Sequence, residues 1–328
     1  AALGFPTTST IRVYRVHEND DYALTQLGDD IVYNGNEAAS GFGRYLALSS
    51  DGTTLAIGIP GADVHEINDG MVRVYRYNDN AGKWNPLGQD IFGEAYADDS
   101  GSALDLSDDG TILAIGADAN DGDDEGYSLR GHVRVYQLQN DKSEWLQIGN
   151  DIDGQGRYHN AGSSVVLSSS GLVVAVASAG ADVGYCDNIG QVRVLEYSAG
   201  QNRWNQLGQT MRGEKCGDQF GASLAMSSSG DEVAVGSFHN DGSSSSSHDN
   251  SGLVKVYQID RITNEWDSLG GTIRGNHGDG LGSAVALDAA GTTLVVGSSG
   301  FYIVSGNGDT SISTSGEIRS YQLSRAEQ

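Results

Sequence analysis

The chain is poor in several things at once. It has three prolines, two cysteines and four lysines among 328 residues. No run of about 18 apolar residues occurs, so nothing in it can cross a membrane as a helix. Basic residues number 19 against 44 acidic ones, a formal charge of −25. A surface of that sign repels nucleic acid and anionic lipid, attracts cations and suits solubility in salty water. The sequence has no Gly-x-Ser-x-Gly elbow, no His-Glu-x-x-His helix and no phosphate loop. Its seven histidines, His17, His65, His132, His159, His239, His248 and His277, are scattered. No asparagine lies in an Asn-x-Ser/Thr sequon, and Ala1-Ala2-Leu3-Gly4-Phe5-Pro6 lacks a charged region followed by an apolar one. Any targeting signal is therefore absent or already removed, and the chain is expected to be extracellular or secreted with its signal removed.

What is abundant is glycine, 47 residues, set between short runs of Val, Ile, Leu and Ala. That is the composition of an all-β protein. Gly131-His132-Val133-Arg134-Val135-Tyr136 recurs in copies that begin at Ile11, Val72, Val133, Val192, Val254 and Ile318, at spacings of 61, 61, 59, 62 and 64 residues. A period of this length fits a four-stranded sheet with its loops.

One unit reads as strand A at 102–106, a turn at Asp109-Gly110, strand B at 111–116, an acidic loop, strand C at 133–136 and strand D at 145–149. Strand B mixes small and large residues, as in Leu55-Ala56-Ile57-Gly58, which lets tapering sheets approach near an axis. Strand D carries Trp84, Trp145, Trp204 and Trp266, with Leu24 in the matching first position, and these read as packing plugs between sheets. There are five A, B and D strands but six C strands. The expectation is a single domain over 1–328, an all-β five-bladed propeller of four-stranded antiparallel blades, the last closed by N- and C-terminal strands. In that scheme Ile11 to Tyr14 fills the buried C place and the strand at Ile318 lies outside it. A sixth blade is disfavoured, since it would have no A or B strand.

Phe220-Gly221-Ala222-Ser223-Leu224-Ala225-Met226, then Glu232-Val233-Ala234-Val235-Gly236, then Gly252-Leu253-Val254-Lys255-Val256-Tyr257 resembles the FG-GAP repeat of integrin-α-type propellers. Phe42-Gly43 and Leu281-Gly282 supply further Phe-Gly elements, and Gly58 with Pro60 approaches Gly-Ala-Pro. The resemblance spans about 310 residues and implies fold more than function. The family's calcium loops lie between strands A and B, where this chain has tight turns such as Ser169-Ser170-Gly171, so those sites do not carry over. Similar repeats occur in large secreted algal proteins.

The B–C and D–A loops share one end of the blades and are long, so binding is expected there. Asp118, Asn120, Asp121, Asp123 and Asp124 offer oxygens for a calcium ion, or form a solvated loop. Asp98, His159, Asp218 and Asp279, each three residues before a strand-A glycine, form a candidate ligand-binding ring, or tie down loop N–H groups. Cys186 and Cys216 fall on this face in adjacent blades, where a disulfide would close 30 residues and imply an oxidising compartment. Two free thiols are the alternative. Asp105 interrupts strand A and is the one axial carboxylate to weigh for glycoside chemistry.

These features together predict a non-catalytic extracellular module for adhesion or matrix assembly, binding a protein or glycan, with calcium as a candidate cofactor. A lectin is the alternative and a glycosidase with axial carboxylates the second. The chain is expected to be monomeric, with strand-mediated self-association as a variant.

Overall fold

The computed structural model describes residues 2–5, 10–17, 22–33, 41–122, 128–139, 144–182, 184–241, 250–300, 303–304, 310–311 and 316–323. Among them there is no helix, and the strands build a β-propeller of six blades. Blade 3 shows the pattern. Strand A is Ala103–Leu106, B is Ile112–Ala117, C is His132–Gln139 and D is Glu144–Gln147, and a two-residue tail, Ile152–Asp153, pairs with the start of C. Blades 2, 4 and 5 repeat this order, with C strands Met71–Asn78, Gln191–Ser198 and Leu253–Asp260.

The expected five-bladed closure is not found, because the two termini do not share a blade. In blade 1, Thr10–His17 is strand C, Ala23–Gln26 strand D, and Ala2–Phe5 occupies the place of strand B. Gly4 faces Ile11 there as Gly58 faces Val72 in blade 2, and Ala2 faces Val13 as Ala56 faces Val74. The first residues are thus a copy of strand B, Ala-Leu-Gly-Phe standing where blade 2 has Ala-Ile-Gly-Ile. In blade 6, Leu281–Leu287 and Thr293–Ser298 are followed by Glu317–Gln322, which pairs directly with the B strand as its own strand C. Ile11 is buried and Ile318 exposed, as expected, but each belongs to a separate sheet. The physical reason is that a B-type strand was on hand at each end, so neither C strand needed the other's sheet for hydrogen bonds.

Blades 1 to 5 each bury one face against the next. Between blades 2 and 3, Ala47, Ala56, Val72 and Val74 meet Leu106, Leu113, Ile115, Leu138 and Trp145. Near the axis the sheets touch backbone to backbone. A Cβ on Gly58 would lie 2.1 Å from the carbonyl oxygen of Gly101, and one on Gly116 would lie 2.2 Å from that of Gly162. No side chain fits at these two places, and blade 4 carries the smallest one, Ala177, at the equivalent position, which is why strand B alternates small and large residues. Farther out, each tryptophan crosses to the preceding blade and donates its indole N–H to a backbone carbonyl: Trp84 to Leu27, Trp145 to Leu87, Trp204 to Ile148 and Trp266 to Leu207, all within 2.8–3.0 Å. At the plain end the A–B turns are linked in series, Ser50 N–H to Asp108, Asp108 to Ser169, Ser169 to Ser228 and Ser228 to Ala289, each at 3.0 Å.

Because Trp145 is buried and its N–H is matched, Trp145→Ala should lower the unfolding free energy by about 3–5 kcal/mol in urea titration. The exposed Leu24→Ala, at the equivalent place in blade 1, should change it by less than about 0.5 kcal/mol.

Candidate active site

The long-loop end carries a polar cavity at the seam of blades 2 and 3. Its volume is about 330 Å³, and its lining includes Glu94, Asn120, Arg130, His132, Asp151 and Asp153. His132 is the first residue of strand C in blade 3 and faces Asp153 of the strand tail. Asp151 precedes that tail. Glu94 reaches over from the loop after Ile91–Phe92 of blade 2. One ligating atom from each of Glu94, His132 and Asp151 lies within 4.8 Å of the others.

Much of this arrangement is repeat scaffold. The second residue after His132 is Arg134, and the same place holds Arg12, Arg73, Arg193, Lys255 and Arg319 in the other blades. In blades 1 to 3 an aspartate beside strand D meets it. Arg12 Nε lies 2.9 Å from Asp30, Arg73 Nε 2.6 Å from Asp90, and Arg134 Nε 3.3 Å from Asp151. Arg134 also forms an ion pair with Glu94 across the seam, as Lys255 does with Glu214 at 2.7 Å between blades 4 and 5. These pairs hold neighbouring blades in register at the loop end. What blade 3 adds is His132, where the others have Thr10, Met71, Gln191, Leu253 and Glu317.

His132 is buried, and burial pushes its imidazole below the usual histidine range, against the opposing pull of Asp151, Asp98 and Asp153. It is therefore neutral at pH 7 and able to accept a proton or coordinate an ion. The three donors also invite a cation. Arg134 already engages both carboxylates, so a divalent ion would have to displace its guanidinium. The cluster is better suited to acid–base work beside fixed positive charge than to holding a metal.

The candidate ring at the axis is not assembled as one site. Asp98 accepts the N–H groups of Glu94 at 3.0 Å and Ala95 at 2.9 Å, and the Asn120 amide at 3.0 Å. Asp218 does the same for Glu214, Lys215 and Asn240 at 2.8 Å. Asp279 accepts the Asn276 N–H at 2.7 Å and lies 3.8 Å from Arg319. His159 lies 3.4 Å from Gln191. Each carboxylate ties down its own loop, and Asp98 thereby shapes the loop that presents Glu94.

In the acidic loop, Asp121 accepts the N–H groups of Ser128 and Leu129, Asn120 accepts that of Gly122, and Asp118 is pushed up by burial. Asp123 and Asp124 lie outside the described residues. Cys186 and Cys216 form a disulfide that ties the B–C loop of blade 4 to the loop entering blade 5. Asp105 accepts N–H groups from Leu106 at 2.9 Å and, across the seam, from Leu167 at 2.7 Å. It is an inter-blade staple.

No family model matches the chain, and no curated protein matches it either. Solved structures do. A periplasmic gluconolactonase from Pseudomonas aeruginosa superposes with a TM-score of 0.56 at 20% identity, over 97% of this chain and 82% of that one. A protein from Bacteroides fragilis, provisionally described as a 6-phosphogluconolactonase, gives 0.47 at 11% identity over 98% and 97%. One from Bacteroides uniformis with the same description gives 0.47 at 10% over 98% and 98%. At these identities the likeness is one of fold. The expectation of a non-catalytic adhesion module is what this overturns: the neighbour with a TM-score above 0.5 is described as an enzyme, a gluconolactonase. The catalytic candidates Glu94, His132, Arg134 and Asp151 do not stand out as a motif. The signal available for them was the residue before the first Val of strand C, histidine in one unit only.

Desolvation raises the Asp105 carboxyl to about 6. A folded-state value above the unfolded one means that the native state holds this proton more tightly, so stability falls as pH rises from about 4 to about 6. Asp105→Asn should remove a component of order 2–3 kcal/mol from that fall, measured by urea unfolding at several pH values.

Proposed function

We propose that the chain hydrolyses the ester bond of a small, uncharged sugar lactone in the cavity between blades 2 and 3. The observation that carries this reading is the buried, neutral His132 held among Glu94, Asp151 and the guanidinium of Arg134. The lactonase fold likeness supports the substrate class. With Glu94, Asp151 and Asp153 in the lining and a net charge of −25, a neutral lactone suits the cavity better than a phosphorylated one.

In the reaction His132 takes a proton from water as the oxygen adds to the lactone carbonyl. Negative charge then develops on the carbonyl oxygen, and Arg134 with Arg130 supplies positive charge beside it. The ring C–O bond breaks, the departing alkoxide takes the proton from the imidazolium, and the product is an open-chain hydroxy acid that ionises and releases one proton. Asp151 and Glu94 orient Arg134. The Cys186–Cys216 bond suits a location outside the reducing cytoplasm, secreted or periplasmic.

The test is proton release from glucono-δ-lactone above the buffer rate. His132→Gln copies the glutamine that blade 4 carries at this place, Gln191. The variant should fold normally by circular dichroism and lose about 10²–10⁴-fold in kcat. The wild-type rate should fall on the acid side at a pH below the ordinary histidine value, since burial lowers that of His132. Wild-type turnover no faster than buffer, or an undiminished His132→Gln variant, would reject the proposal.

A further inference from the structure

Every blade carries a cation at the third place of strand C, and in all but one of them that cation touches a carboxylate. Arg12 meets Asp30 at 2.9 Å, Arg73 meets Asp90 at 2.5 Å, Lys255 meets Glu214 at 2.7 Å and Arg319 meets Glu317 at 2.7 Å. Arg134 meets both Asp151 and Glu94. Arg193 of blade 4 is the exception. It donates to the backbone carbonyl of Asp153, its buried Nε has no acceptor, and no carboxylate among the described residues contacts it.

The cause is two changes of residue. Asp30, Asp90 and Asp151 each stand just before the strand tail of their own blade, and in blade 4 that place, before Met211, is held by Thr210. Glu94 and Glu214 reach across a seam from the second place after the tail, and at the seam of blades 3 and 4 that place is Gln155. Both expected acids are thus neutral, yet Arg193 is only 8% exposed, as deeply set as Arg134 at 9%. A guanidinium so far from water demands a counter-charge. The side chain of Asp153 is exposed and lends its charge from a distance, while burial pushes Arg193 below the usual arginine range. Gln191, 2% exposed, holds its amide nitrogen 3.4 Å from both Gln155 and His159. Burial also pushes the His159 imidazole down, and Arg193 and Arg130 push the same way against Asp182. On a chain of charge −25 this seam is a place of positive potential.

We propose that Arg193 binds a small carboxylate anion on its Nε edge, in the place that Asp30, Asp90 and Asp151 fill in blades 1 to 3. Nε is the atom those aspartates take on Arg12, Arg73 and Arg134. Threonine ends at its γ atoms, one bond short of an aspartate's oxygens, so at Thr210 the oxygens come from a ligand. The Thr210 hydroxyl and the Gln191 amide are neutral donors that suit an anion. The rigid guanidinium fork matches the two oxygens of a carboxylate better than a spherical halide. A ligand of formate or acetate size reproduces the aspartate head group.

The experiment follows the thermal midpoint of the full chain in sodium formate and in sodium chloride at matched ionic strength, because an anion bound only by the native state raises it. Formate at about tenfold excess over its dissociation constant should raise the midpoint by about 2–3 °C more than chloride does. Thr210→Asp and Gln155→Glu each restore a carboxylate that other blades carry. Each should show a higher midpoint than the wild type in formate-free buffer and no formate response, and either one decides the point if the other fails to fold. Arg193→Gln should lose the response as well. A wild type that responds equally to formate and chloride would overturn the proposal. So would a formate response that survives in full in any folded variant.

Discussion

The contact on which the propeller depends is the backbone approach of one blade to the next near the axis. A glycine in strand B meets the carbonyl of the glycine that opens the next strand A, as Gly236 meets Gly282. That approach sets the angle at which sheets fan out, and the outer seam then has room for large side chains. Leu, Ile and Tyr fill its middle, and a tryptophan bolted to a backbone carbonyl closes its rim. Small near the axis and large outside is a wedge, and wedges repeated in one sense make a propeller. Apolar burial supplies most of the stability, and each of the four indole N–H groups is matched by a backbone carbonyl.

The same wedge explains where chemistry can sit. At the plain end the A–B turns are short and hydrogen-bonded in series. At the other end the loops diverge, and a basic residue of strand C reaches the preceding blade at four seams: Arg134 to Glu94, Arg193 to the backbone carbonyl of Asp153, Lys255 to Glu214 and Arg319 to Asp279. Those bridges are a structural necessity of the repeat. A single change, histidine for an apolar or neutral residue at the mouth of one bridge, converts a strut into a candidate active site. The strut keeps the arginine desolvated and fixed, which is what electrostatic stabilisation of a developing oxyanion requires. The aspartates expected to bind ligand along the axis instead close their own loops: Asp98 and Asp218 accept two loop N–H groups and an asparagine amide apiece, in matching geometry. Their recurrence reports loop architecture.

The sequence by itself determined that the protein is all-β, that it is a propeller of roughly 60-residue units, that its tryptophans read as plugs and its small strand-B residues as contact points, and that Cys186 and Cys216 share one face, while their pairing came from the structure. These properties follow from period, alternation and side-chain size, which are local. Blade number was decided by tertiary pairing, because a C strand is equally compatible with either terminal sheet and only the partner it finds assigns it. The four-residue copy of strand B at 2–5 was legible in principle, but a strand so short carries little signal until its register with Ile11 and Val13 is seen. The candidate site was likewise invisible in one dimension. Glu94, His132 and Asp151 are separated by 38 and 19 residues along the chain, and what brings them together is the seam between two sheets, a relation that no spacing within one repeat encodes.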